Sequence, residues 1–359
     1  MKKLSLLILF ILVLTGISAP ALFARTDVIG EIVYMIGTPR IMRNSGAVTQ
    51  RIGIGFPIEN FDLVSVPANG IVEVSLRSAT GFQSRITIRG GSTMSFDITS
   101  LQSTQQGSIQ LMRGTVSVDV AGMNRNSRLN VRTGTATMGV RGTKFDVTTA
   151  PTGEVLVSTT EGRVAVETDQ GQTFFSEPGR VVQLIDERWS EVPVRVTDLE
   201  TFIRTWNAER IDALRANFPR AVRNYATRYF DYRDRFIQAY IQLMRNRAVI
   251  QKWIQEDQEN RVGTTIEQLR EKRQIAGALL NIRRVLFFFE RIYFRVLELE
   301  EYFGQGFGDG VIEGNLTISG FFREVRAERD LFEQRMQEIR YINKLFALRN
   351  DGRGPFDLF

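Results

Sequence analysis

Three carboxylates, Glu298, Glu300 and Glu301, crowd one short segment, a grouping that general acid–base catalysis or a hard cation could use. Helix residues one apart point to different faces, so the group reads as a solvated helix end with a partial salt bridge to Arg295. The string "GQGFGDGVI" superficially matches a calcium-binding nonapeptide. It occurs once and carries Phe307 where that repeat requires glycine, so a loop is expected. Arg141 stands between Gly139 and Gly142 in the strand-like run "TGTATMGVRGTKFDV". A buried cation there would need carbonyls or a carboxylate such as Glu161. Composition closes most other chemistry. Among 359 residues there is no His and no Cys, which removes thiol chemistry, disulfides, N/S zinc sites, His-ligated haem and every imidazole triad. No P-loop, dinucleotide fingerprint, EF-hand loop or H-E-x-x-H occurs. A non-enzyme without cofactor or metal is expected, and a carboxylate-based hydrolase or binder of envelope glycans is kept as a distant alternative because no paired-carboxylate motif stands out.

The elements that must position these residues fall into three segments. Residues 1–24 read as a secretory signal: Lys2 and Lys3, an apolar run from Leu4 to Leu14, then small residues with cleavage expected after Ala21 or Ala24. The run is short for a bilayer span, so a cleaved leader is expected, with an uncleaved anchor as the rival. Residues 25–197 alternate with period two, as in Val72/Val74/Leu76, Ile86/Ile88, Val116/Val118/Val120 and Val164/Val166, and glycines punctuate the runs. This predicts an all-β domain of stacked or solenoid-like sheets, in which "GTVSV" at Gly114 and "GRVAV" at Gly162 hint at a repeat. Residues 198–359 change to helical period, predicting an antiparallel bundle with a glycine-rich loop at 304–320. The fold class is thus α+β in separate domains. Capping boxes are expected at Thr197–Glu200 and Thr264–Glu267. Pro219 is expected to divide a first helix, ending near Ala216, from a second reaching about Glu259. Ile282, Val285, Leu286, Phe289, Ile292, Val296, Leu299 and Phe303 form the stripe of a third helix, and a fourth is expected over Phe321 to Leu348.

The order of motifs across roughly Gly70 to Leu184 resembles the FecR domain family. "RLNVRTGTATMGVRGTKFDV" is similar to its core signature, and "GSIQLMRGTVSVDV" to the alternating segment upstream. "GEVLVSTTEGRVAVET" and "SEPGRVVQL" look like the strands that close the domain. Gly139, Arg141, Gly142, Thr143 and Phe145 carry the signature. Physically, the two glycines would serve a tight reversal, and Phe145 would enter the core. The resemblance implies a periplasmic β module. Family members of the sigma-regulator kind place a cytoplasmic anti-sigma segment before one membrane helix; here only Met1 precedes Lys2, and that segment is expected to be missing.

Net charge is +6 and nearly all cations are Arg. In an exported chain the expected partners are another envelope protein, a second copy of itself, a polyanionic envelope polymer or a membrane surface, and no nucleic acid. In "RNYATRYFDYRDRF" the arginines are interleaved with Asp231 and Asp234, which predicts pairing along the helix face. The third helix holds more apolar surface than one stripe needs. Phe287, Phe288 and Phe294, with Arg283, Arg284, Arg291 and Arg295 around them, are the candidate interface. The expected function is an exported, periplasmic, non-enzymatic interaction or scaffold module; the alternative is a membrane-anchored sensor or regulator.

Overall fold

The computed structural model describes residues 28–43, 46–77, 80–100, 105–123, 127–351 and 354–357; the expected leader over 1–24 lies outside them. The β region opens with β1 (Val28–Ile36), β2 (Arg40–Arg43), β3 (Gly46–Ala47), β4 (Pro57–Glu59) and β5 (Leu63–Ser65). It continues through β6 (Ile71–Leu76), β7 (Phe82–Arg89), β8 (Thr93–Ser100) and the long β9 (Gln105–Met123). β10 (Arg128–Arg132), β11 (Ala136–Val140), β12 (Lys144–Thr149) and β13 (Val155–Glu161) follow. β14 (Val164–Thr168), β15 (Thr173–Ser176), β16 (Arg180–Ile185) and β17 (Arg188–Pro193) complete it.

These strands form two sheets. One runs β4-β1-β6-β7-β9-β12-β13-β16-β17. The other runs β3-β2-β5-β8-β9-β10-β11-β14-β15. β9 belongs to both. Its first half pairs with β8 and β10, and from Gly114 onward it pairs with β12. The chain then alternates, delivering a hairpin to one sheet and the next hairpin to the other. Inward residues of both sheets, among them Val72, Ile86, Val118, Phe145 and Val157 with Phe96, Ile109, Val131, Met138 and Val166, share one core. Period-two alternation produces this layering directly, because every second side chain of a strand points to the same face.

The helices are α1 (Leu199–Met244), α2 (Arg247–Gln258), α3 (Thr265–Gly304) and α4 (Ile318–Leu348); a small hairpin, β18 (Val311–Glu313) and β19 (Leu316–Thr317), occupies the glycine-rich loop. The α+β organisation is the one the sequence predicts. As Pro219 predicts, α1 is two helical arms that meet across a kink at Asn217, which leaves helical geometry (φ −123°, ψ 17°). Phe218 and Val222 are buried on either side of the proline, so core packing holds the two arms in one rod. The expected second helix instead breaks between Met244 and Arg247. At Thr264 the capping box forms as expected. At Thr197 it does not, because a 3-10 turn over Val196–Asp198 occupies that position and the Thr197 hydroxyl bonds Asp198. α4 starts at Ile318, earlier than expected, where the Thr317 hydroxyl accepts from the Gly320 N–H at 3.1 Å. Phe307 anchors the glycine-rich loop edge-on to Phe218, 5.7 Å between centroids. Among the described residues no helix is long and apolar enough to cross a membrane.

Candidate functional site

The signature run lies where the chain changes sheets. β11 is in one sheet and β12 in the other, and Arg141 to Thr143 make the crossing. Gly142 has φ +61°, a left-handed conformation that favours glycine. A second crossing, from β13 to β14, nests against it at Gly162 (φ +78°). A Cβ on Gly162 would come within 2.8 Å of Thr143 Cγ2 and 2.9 Å of the Gly142 carbonyl oxygen. Thr143 and Phe145 are buried, Phe145 fully. Two sequence expectations are corrected. Gly139 lies within β11 without positive φ, and a Cβ there would meet nothing within 4 Å, so neither a reversal nor a close approach requires it. Arg141 is exposed at the turn, so its place between two glycines carries no buried charge that Glu161 would have to neutralise. Gly114, the other member of the suspected repeat, is also a corner (φ +85°): it presses on Ser92, whose hydroxyl accepts from the Thr115 N–H at 2.8 Å.

A second cluster joins the two halves of the molecule. Arg113, at the corner of β9, is buried and pairs with Glu301 of α3 at 2.7 Å. Earlier on α3, Arg295 pairs with Glu298 and donates to the Ala150 carbonyl beyond the end of β12. The expectation of a solvated acidic helix end is therefore corrected for Glu298. It is buried under the β region, and that burial holds its carboxyl above the ordinary range, while Arg295 and Arg113 pull the other way. Burial, with Glu298 and Glu301 adding to it, also pushes the Tyr302 phenol up to about 12. Arg291 lies against the β10–β11 turn so closely that a Cβ on Gly134 would stand 3.0 Å from its guanidinium carbon. Elsewhere Arg40 of β2 pairs with Asp330 and Glu333 of α4, and Trp206 of α1 donates to Gln183 Oε1 at 3.1 Å. Met42, Leu63 and Met112 of the β region enter the helical core itself. These contacts make the junction a built interface.

The candidate interface on α3 divides accordingly. Phe294 is 1% exposed and Arg295 is buried, so neither can meet a partner: Phe294 packs in the helical core and Arg295 belongs to the junction. Arg291 is half-buried, with its guanidinium 5.6 Å from the Phe287 ring centroid. Phe287 and Phe288 are 43% and 40% exposed, and Arg284 is exposed. Phe288 leans on Tyr232 of α1 at 5.6 Å. Sequence reasoning missed their continuation toward the start of the helix: Leu280, Leu269 and Ile266 are also exposed. The signal was present as a second three-and-four spacing, offset from the buried stripe. Beside it a shallow groove of about 600 Å³ runs between α1 and α3, lined in part by Ile241, Gln242, Asn281 and Val285. Another depression, near Lys252, Glu256 and Glu267, is filled with charges that already satisfy one another. Among the described residues no group of three or more His, Cys, Asp or Glu could hold a metal.

Comparison with known proteins bears on the β region. Residues 62–165 match the family model described as FecR protein. The chain carries a FecR domain. That match takes in Arg113, Gly134 and the whole crossing at 141–143, and it ends before the helices begin. Two crystal structures of a candidate anti-sigma factor from Parabacteroides distasonis ATCC 8503 also align, each at 16% identity with a TM-score of 0.32. The alignments cover 39% of this chain and 64% or 63% of that protein, so this chain spans less than two thirds of its length. Among curated proteins none matches.

Proposed function

We propose that this protein is an exported, periplasmic, non-enzymatic interaction module, in which the FecR domain is a rigid base and the helices present a docking face. One observation carries the reading. The C-terminal end of α3 is locked into the FecR domain through Arg291, Arg295, Glu298 and Glu301, while the stretch before Arg291 leaves Phe287, Phe288, Leu280, Leu269 and Ile266 exposed. Fixing one end of a helix holds the aromatic groups of the other end in place, which lowers the ordering cost of binding. Arginine beside aromatic rings is the composition of interface hot spots. The buried carboxylate of the junction, Glu298, is structural in this reading, since Arg295 pairs with it and Arg113 lies near it.

Two measurements test it. N-terminal sequencing of the native protein should find a chain beginning near Arg25 in the periplasmic fraction; an intact Met1 form in the membrane would instead favour the anchored sensor. Crosslinking in intact cells followed by affinity capture should recover a bound component with the wild-type protein. The Phe287→Ser variant should lose it at unchanged melting temperature. Capture that is indifferent to this substitution would remove α3 from the function.

A further inference from the structure

The exposed half of α3 has a one-sided charge pattern that selects what can cover it. From Gln268 to Phe289 the sole carboxylate is Glu271, which is buried and bonded by Trp253 and Lys252. Over the same stretch Arg270, Arg273 and Arg284 are exposed, and none makes an ion pair among the described residues. Ile266, Leu269, Leu280 and Phe287 recur between them at helical spacing, with Phe288 beside the last. The result is a ridge about 33 Å long, apolar along its crest and flanked by arginines, with one half-exposed carboxylate at its start, Glu267, which Lys252 pairs at 3.0 Å. Exposed acids of α1, Asp231 and Asp234, are within reach of Arg235 and Arg233 at 3.0 and 3.2 Å.

This pattern argues against a second copy. Gly277 is the exposed mid-point of the ridge, with nothing within 4 Å of its would-be Cβ, and it is where two such helices would cross most closely. A two-fold pairing centred there sets Arg270 of one copy against Arg284 of the other, cation against cation. The shape argues against a pocketed protein partner. Ile266 is 82% exposed at the start of a convex crest, whereas helix-recognising proteins receive anchors from a groove-and-knob match that a ridge of mixed Ile, Leu and Phe spread over this length does not define. An anionic lipid surface needs no matching shape. Its headgroups pair with arginines while short apolar chains enter the headgroup–acyl boundary.

We infer that the α3 ridge is a peripheral membrane-binding face that seats the molecule on an anionic lipid surface through Arg270, Arg273 and Arg284, with Ile266, Leu269, Leu280 and Phe287 inserted. This rests on the reading of α3 as the docking face and names its occupant. Being built from one rigid helix, it would lay the FecR domain at a fixed orientation on the surface.

Vesicle co-sedimentation tests it, using the protein purified from its own cells and vesicles of phosphatidylcholine with or without phosphatidylglycerol. The wild-type protein should bind the phosphatidylglycerol vesicles and lose binding as salt is raised. Arg270→Gln, Arg273→Gln and Arg284→Gln should each lower partitioning roughly fivefold, and Leu280→Ser with Phe287→Ser should abolish it, all at unchanged helicity. Failure of the wild-type protein to bind phosphatidylglycerol vesicles would overturn the inference, as would binding that none of these variants alters. If the variants keep vesicle binding but lose a crosslinked protein or a sedimenting dimer, the lipid assignment falls while α3 remains the docking face. If they change neither, both fall.

Discussion

Gly142 and Gly162 carry the crossing between sheets, and Gly139, three residues from the first of them, does not. A side chain at Gly142 would be strained by its φ of +61° but would find open space, so Gly142→Ala should cost about 1–2 kcal/mol. Gly162→Ala adds a clash with Thr143 to the same strain and should cost roughly 2–4 kcal/mol. Gly139→Ala should be neutral or stabilise by about 0.5 kcal/mol, since a strand prefers alanine to glycine. Denaturant unfolding of the three variants checks this ranking; a Gly139 variant as damaged as the others would contradict the geometry. Titration supplies a second residue-scale test. Burial raises the carboxyls of Glu298 and Glu290 from their ordinary 4.5, so the folded chain holds those protons more tightly than the unfolded one. Stability therefore falls as pH rises from 4.5 through the raised values. Glu267 acts in the opposite sense: the Thr264 hydroxyl and N–H draw its carboxyl to about 2, and its contribution is lost only as pH falls below 4.5. Melting should thus be higher in mildly acidic buffer than at neutral pH, and a variant with both Glu298→Gln and Glu290→Gln should flatten that slope. A melting temperature that climbs with pH across this window would contradict it.

At the scale of elements, what the sequence made legible was whatever depends on local period. The alternation of β6, β7 and β9 is buried as expected, as is the α3 stripe apart from partly buried Val285 and Phe303, and the Thr264–Glu267 box sits at its helix start. What was not legible depends on tertiary neighbours. Asn217 and Pro219 mark a real kink between two arms, but the break between Met244 and Arg247, inside the expected second helix, carries no proline or glycine to announce it. Glu298 looks like a solvated residue because the β9 corner and the Ala150 carbonyl that cover it are remote in sequence. Phe294 looks equivalent to Phe287 and Phe288 because local spacing does not show that it is buried in the helical core beside Tyr293. Gly134, a signature-run residue pressed on Arg291 of α3, offered no distinguishing mark among its neighbouring threonines.

For the whole molecule, the junction implies that the FecR domain and the helices act as one body. Met42, Leu63 and Met112 lie in the helical core, and Ala150, Leu156 and Val181 of the β region pack with Trp206 of α1. Calorimetry should therefore show a single transition in which helical and sheet signals are lost together; two separated transitions would mean that the halves are independent and the docking end of α3 is not held in place. The central claim is that the outer half of α3 is the face that meets a partner in the cell. A photoreactive residue placed at position 287, compared with one at exposed position 160 on the FecR domain, tests it most directly. Irradiation of intact cells should give protein or lipid adducts from position 287 and few from position 160. Adducts from position 160 alone, or none from position 287, would contradict the account.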